Sequence, residues 1–154
     1  MLLHLVRENL RLLSELRSRH RSASRGGSLG RQVRSPADIA DLLVPEMGEL
    51  PQEQLRVVLL DTRNRVLDVV MVYQGSVSTA VARMAELFRD AVVANAPGIV
   101  LVHNHPSGDP SPTEDDIRMT TDAARAGQLL GIELLDHVVL GHGQFVSLKE
   151  RGVL

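Results

Sequence analysis

The 154-residue chain contains no cysteine and no tryptophan, and its aromatic residues amount to one Tyr and two Phe. Without thiols there is no disulfide framework and no thiolate zinc site, so any metal must be held by His, Asp or Glu. With so few rings, a base-stacking platform for single-stranded nucleic acid is not expected. Long apolar runs are also missing. Residues 1–6 are interrupted by His4 and ended by Arg7, too short for the core of an export signal, and no run approaches membrane-spanning length. A cytoplasmic protein without a membrane partner is the expectation. The chain is 44% hydrophobic and 23% charged, as in an ordinary globular domain, here with a core of Leu, Val, Ile, Ala and Met.

The net charge of −2 is unevenly spread: residues 1–34 carry eight Arg against two Glu, whereas residues 35–154 carry nine basic against seventeen acidic residues. The chain therefore divides into a basic appendage, 1–34, and an acidic body, 35–154. Leu3, Val6, Leu10 and Leu13 recur at helical spacing and predict an amphipathic helix over residues 2–20, followed by a Ser-, Gly- and Arg-rich linker over 22–30. Such a basic segment suits weak contact with nucleic acid and equally suits a solvated helix face.

In the body, Ser35 before Pro36 and Asp38 predicts a helix start, with the helix running to about Pro45. Residues 55–60 and 66–73 read as a hairpin around Thr62-Arg63-Asn64. Met84, Leu87, Phe88, Ala91, Val92 and Asn95 mark one face of a helix over 81–95. Residues 98–103 read as a buried strand, 104–112 as a loop, 113–127 as a helix, and 132–140 and 144–147 as closing strands. A hairpin mixed with helices predicts an α+β fold, a central mixed sheet flanked by helices.

The chemistry is concentrated in residues 102–116. In an extended strand, side chains two apart share a face, so His103 and His105 project together, about 7 Å apart along the backbone. The loop that follows, stiffened by Pro106, Pro110 and Pro112, delivers a helix start where Asp116 can supply a third ligand. Two His and one carboxylate, with a fourth position for water, are a catalytic zinc arrangement. Asp109, Glu114 and Asp115 compete for the carboxylate position, and each also suits the positive end of a helix. The start itself has two readings, because Ser111 with Glu114 and Thr113 with Asp116 both fit a capping box. His137 reads as a hydrogen-bonded core histidine, with support of a metal ligand as its alternative. His142 reads as a turn residue. Asn104 and Ser107 read as satisfying backbone groups in a tight turn, with orienting the loop or the bound water as the alternative.

The run from His103 to Asp116 resembles the JAMM motif of the MPN (JAB-type) metalloproteases: His-x-His, seven residues, Ser or Thr, two residues, Asp. The strings "LLDTRNRVLDVV", "VLVHNHPSGDPSPTEDDI", "LLGIELLDHVVLG" and "FVSLKERGVL" are similar to the bacterial RadC family, over about residues 35–154. The resemblance implies an MPN/JAB (cytidine-deaminase-like) architecture and a zinc ion held by His103, His105 and Asp116. It implies Thr113 as a donor to the developing oxyanion and an upstream Glu as general base. Glu53, just before residues 55–60, matches that place. Glu86 competes, but Met84-Ala85 replaces the family's Pro-Arg before it, and Glu53 is preferred.

The expected activity is hydrolysis of an amide or isopeptide bond in a peptide or protein substrate. The alternative is a DNA repair-associated role through nucleic-acid or protein binding. RadC relatives usually carry a helix-hairpin-helix region upstream, of which residues 1–34 would hold only the last helix and linker. A non-catalytic scaffold is disfavoured by the intact ligand set. Zinc deaminase chemistry is excluded by the missing cysteines, and no His-Glu-x-x-His string occurs. The sequence leaves the oligomeric state open, a homodimer included.

Overall fold

A computed structural model describes residues 27–75 and 82–154. The helix expected over 2–20 and most of the linker over 22–30 lie outside the described residues. The elements in chain order are α1 (Pro36–Met47), β1 (Gln54–Leu60), β2 (Val66–Gln74), α2 (Met84–Ala94), β3 (Gly98–Asn104), α3 (Glu114–Leu130), β4 (Glu133–Leu140) and β5 (Phe145–Ser147). The strands form one mixed sheet in the order β2-β1-β3-β4-β5. β3 is antiparallel to β1 and parallel to β4, and the remaining neighbours are antiparallel. This is the expected α+β organisation. No helix among the described residues is long and apolar enough to cross a membrane.

The two faces of the sheet are sorted by strand parity. Leu55, Val57 and Leu59 of β1 and Ile99 and Leu101 of β3 pack with Leu87, Phe88 and Ala91 of α2 and Met119 and Ala123 of α3. Val58, Leu60, Val100 and Val102 turn the other way, onto Ile39, Leu43 and Met47 of α1. Covering both faces explains why β1 and β3 are apolar almost without interruption. It also fixes where residue 103 points, on the α2–α3 side with Leu101.

The elements differ from the sequence reading mainly at their ends. α1 continues two residues past Pro45, because Leu43 and Met47 are both buried on its inner face and outweigh one missing backbone donor. α2 begins at Met84 and has a narrower buried stripe. Val92 is 56% exposed, and Asn95 ends the helix in the left-handed conformation. Residues 30–33 pair with the β1–β2 turn: Gly30 donates to the Val66 carbonyl and Val33 to that of Asn64. They are therefore tied to the body ahead of residue 35.

α3 runs to Leu130 rather than stopping at Gly127; Gly131, at φ 68°, is the true stop. Gly127 stays inside the helix because the next strand crosses it, and a Cβ there would lie 2.3 Å from the Ile132 carbonyl oxygen. Gly127→Ala is therefore expected to destabilise the fold despite alanine's better helix propensity. The net cost is about 1–2 kcal/mol, a fall in melting temperature of roughly 2–8 °C. An unchanged or higher melting temperature by circular dichroism would contradict this.

Candidate metal centre

Strand parity brings the two histidines together. His103, on the last turns of β3, is completely buried. Its Nε2 lies 2.9 Å from Nε2 of His105. The loop then carries the chain to α3, which opens on a capping box. The Thr113 backbone N–H and hydroxyl both donate to Asp116 Oδ2 at 2.7 Å, and the Asp116 N–H donates to Thr113 Oγ1 at 3.2 Å. Of the two readings of this helix start, the Thr113–Asp116 box is the one formed. It aims the carboxylate at the imidazoles, with Asp116 Oδ1 3.2 Å from His103 Nε2 and Oδ2 3.5 Å from His105 Nε2.

These three separations can be tested against a metal. Zinc–ligand bonds of about 2.0–2.1 Å in a tetrahedron put neighbouring ligand atoms about 3.3 Å apart. Two imidazole nitrogens and one carboxylate, with the nitrogens 2.9 Å apart and each 3.2–3.5 Å from a different Asp116 oxygen, come near that edge length and fit that donor chemistry. The tautomer of His105 fits as well. Its Nδ1 lies 2.9 Å from the Asp109 carbonyl oxygen, which can only accept, so Nδ1 carries the proton and Nε2 keeps its lone pair.

Glu53 precedes β1 and approaches the same histidines. One of its carboxylate oxygens and one ring nitrogen each of His103 and His105 lie within 4.8 Å of one another. Glu53 with the two imidazoles is thus itself a set that could hold a metal ion, alongside the Asp116 contacts. The backbone at Glu53 is clamped from β3. The last β1–β3 pair is Leu55 with His103, and beyond it the buried Asn104 side chain takes over. Its Oδ1 accepts from the Gln54 N–H at 2.8 Å, and its Nδ2 donates to the Gln52 carbonyl at 3.1 Å. Asn104 thus serves the backbone on either side of Glu53 rather than that of its own turn.

The other acidic candidates are engaged elsewhere. Glu86 accepts a hydrogen bond from the Tyr73 hydroxyl and pairs with Arg83 at 3.8 Å. Glu114 and Asp115 both face Arg118. The Asp109 carboxylate caps its own loop by accepting from the Ser111 N–H at 2.9 Å. Ser107 Oγ accepts from the Asp109 N–H at 3.4 Å. His142 closes over the loop, donating its backbone N–H to the Gly108 carbonyl at 3.0 Å. Its ring occupies the space of a Gly108 side chain, since a Cβ there would lie 2.5 Å from His142 Nδ1. The Thr113 hydroxyl, expected at an oxyanion, is spent on Asp116.

A family model described as a RadC-like JAB domain matches residues 33–153. The chain belongs to this family. UPF0758 proteins from Chloroflexus aurantiacus and Roseiflexus castenholzii are 51% identical over 121 residues and 50% identical over 122 residues. Each match covers 79% of this chain, but only 53% and 52% of the relative. A UPF0758 protein from Clostridium beijerinckii is 46% identical over 123 residues, 80% of this chain and 54% of that protein. The chain spans about half the length of the curated relatives it matches.

In this RadC-like JAB domain the electrostatics of the centre couple the three ligand candidates. Burial raises the Asp116 carboxyl, but hydrogen bonding with His103 and His105 outweighs it and holds the group far below the usual carboxylate range. The same hydrogen bond with Asp116 raises His105 above its ordinary value of 6.5. Burial pushes His137 well below that value, so this ring is neutral. A metal must displace the proton that Asp116 stabilises on His105. Metal affinity is therefore expected to be flat on the alkaline side and to fall as pH drops through a point above 6.5. Chelator competition between about pH 5.5 and 8.5 reads that point; a midpoint at or below 6.5 would contradict the coupling.

Two further residues support the centre: His137, for which the sequence already offers support of a metal ligand, and Thr120, which it does not single out. Thr120 lies one helical turn after Asp116, and its hydroxyl donates to the Asp116 carbonyl at 2.6 Å. His137 lies 2.7 Å from His103. The spacing of four that puts Thr120 on the same helix face as Asp116 is the signal for the threonine.

Proposed function

We propose that this domain is a zinc-dependent hydrolase of the JAMM type, a metallopeptidase or isopeptidase that cleaves an amide bond. The observation that carries this reading is the meeting of His103, His105 and Asp116 at tetrahedral-edge distances, with a Glu53 carboxylate oxygen within 4.8 Å of the two imidazoles. His103, His105 and Asp116 would hold the metal. When bound, zinc supplies Lewis-acid activation of a water and of the scissile carbonyl. Glu53 is the group placed to take the water's proton and return it to the leaving amine. Asn104 keeps that carboxylate in register with the histidines. Thr113 orients Asp116, and in this reading its hydroxyl also donates to the oxyanion.

The test is metal analysis of the purified protein together with a screen against peptide and lysine-isopeptide substrates. About one zinc per chain and hydrolysis that stops on chelation are expected. Full metal loading with no cleavage of any library member would contradict the hydrolase reading. No metal uptake at all would contradict the centre itself.

The basic charge of residues 1–34 favours a second reading, weak contact with nucleic acid. A salt-dependent gel shift lost on deleting residues 1–34 is its expected signature; no shift at low salt removes it.

A further inference from the structure

We infer that His137 and Thr120 are positioning residues of the metal centre: together they fix which nitrogen of His103 carries the proton and which is left for the metal. The inference rests on the metal-centre reading above and adds to it two residues outside the His-x-His–Asp pattern. It starts from one carbonyl oxygen. Thr120 Oγ1 lies 2.6 Å from the backbone oxygen of Asp116. Two oxygens at that separation need a proton between them, and only Thr120 has one to give. The hydroxyl proton is thus committed.

The remaining senses follow in order. His137 Nδ1 lies 2.6 Å from the same Thr120 oxygen, which can now only accept, so Nδ1 of His137 carries the proton. This ring is fully buried and its two nitrogens meet Thr120 and His103, with no carboxylate bonded to either to hold a second proton, so its Nε2 is a lone pair. That lone pair faces His103 Nδ1 at 2.7 Å and accepts from it. His103 therefore holds its proton on Nδ1, and its Nε2 is the open nitrogen turned toward His105 and Asp116. The chain of donors leaves one metal ligand, His103, and returns to the backbone of another, Asp116. Reversing either of the bonds that His137 makes would put a proton on the nitrogen the metal needs.

The fold gives up regular strand pairing to make this contact. Leu134 of β4 pairs with Ile99, but Asp136 pairs with Val100, so Leu135 is an extra residue. Leu134 joins the α2–α3 cluster. Regular alternation from it would turn residue 137 onto the α1 face. The bulge turns His137 toward α3 and His103 instead.

The experiment measures zinc affinity by chelator competition for wild type, His137→Leu, His137→Gln and Thr120→Val, with circular dichroism melts for each. It also reads the His103 and His137 tautomers by long-range proton–nitrogen NMR in the zinc-free and zinc-loaded wild type. His137→Leu is expected to lose about 10–100-fold in affinity. His137→Gln, whose amide oxygen can accept in place of Nε2, should recover most of it. Thr120→Val should lose less than His137→Leu, because His137 is left free to choose its tautomer. The wild-type spectra should show Nδ1–H on both rings. A folded His137→Leu or Thr120→Val that binds zinc within about twofold of wild type, or an Nε2–H tautomer on His137, overturns the inference. If His137→Leu does not fold, Thr120→Val and the wild-type spectra decide. A wild type that takes up no zinc overturns the metal-centre reading and this inference together; a wild type that binds zinc with unaffected variants overturns this inference alone.

Discussion

Asp116→Ala is expected to abolish stoichiometric metal retention. Four-ligand zinc sites hold the ion with about 10–16 kcal/mol, so one ligand of three or four accounts for about 3–5 kcal/mol, or roughly two to four powers of ten in affinity. The carboxylate also organises protein around it. It accepts from the Thr113 backbone and hydroxyl and lies against both imidazoles. Its loss leaves the first turn of α3 without half of its capping box. The metal-free variant should therefore be less stable as well, by about 1–2 kcal/mol. Metal content after dialysis and a thermal melt in chelator separate the two effects. Zinc retained at one per chain in Asp116→Ala would remove this residue from the ligand set.

Glu53→Ala should have the opposite signature, retained metal with lost turnover. Its carboxylate lies beside the same two histidines, where a group acting on a metal-bound water belongs. General-base removal costs about 10²–10⁴-fold in rate, so cleavage in the variant should fall by that factor while zinc content stays that of wild type. If zinc leaves with the side chain, Glu53 is a ligand and the base must be sought elsewhere. If turnover is unchanged, Glu53 has no part in proton transfer.

The sequence made the heart of this centre legible and its supports much less so. His103 and His105 could be placed on one face because strand parity is strict, and the parity of Leu101 and Ile99 in the core agrees with it. The helix start was readable only as a pair of alternatives. Local capping chemistry is satisfied by either box, and only the imidazoles across the loop distinguish them. Asn104 was misassigned because its partners, Gln52 and Gln54, are some fifty positions away in the chain. Gly127 resembles a helix stop when its neighbours are unknown; the crossing of Ile132 that requires it is a tertiary fact. His137 could be expected in the core, but its direction depends on a bulge that leaves no mark in strand periodicity.

The pairing of Leu55 with His103 has a consequence for how such a centre is gauged. Glu53 lies just ahead of one strand and the imidazoles at the end of the next, so the alignment of β1 against β3 is the ruler that sets the gap between them. Sliding the two by a single residue would carry both imidazoles through to the side covered by α1 and leave the carboxylate stranded. Asn104, hooked over β1 at the point where the ladder runs out, is the pawl that stops that slide.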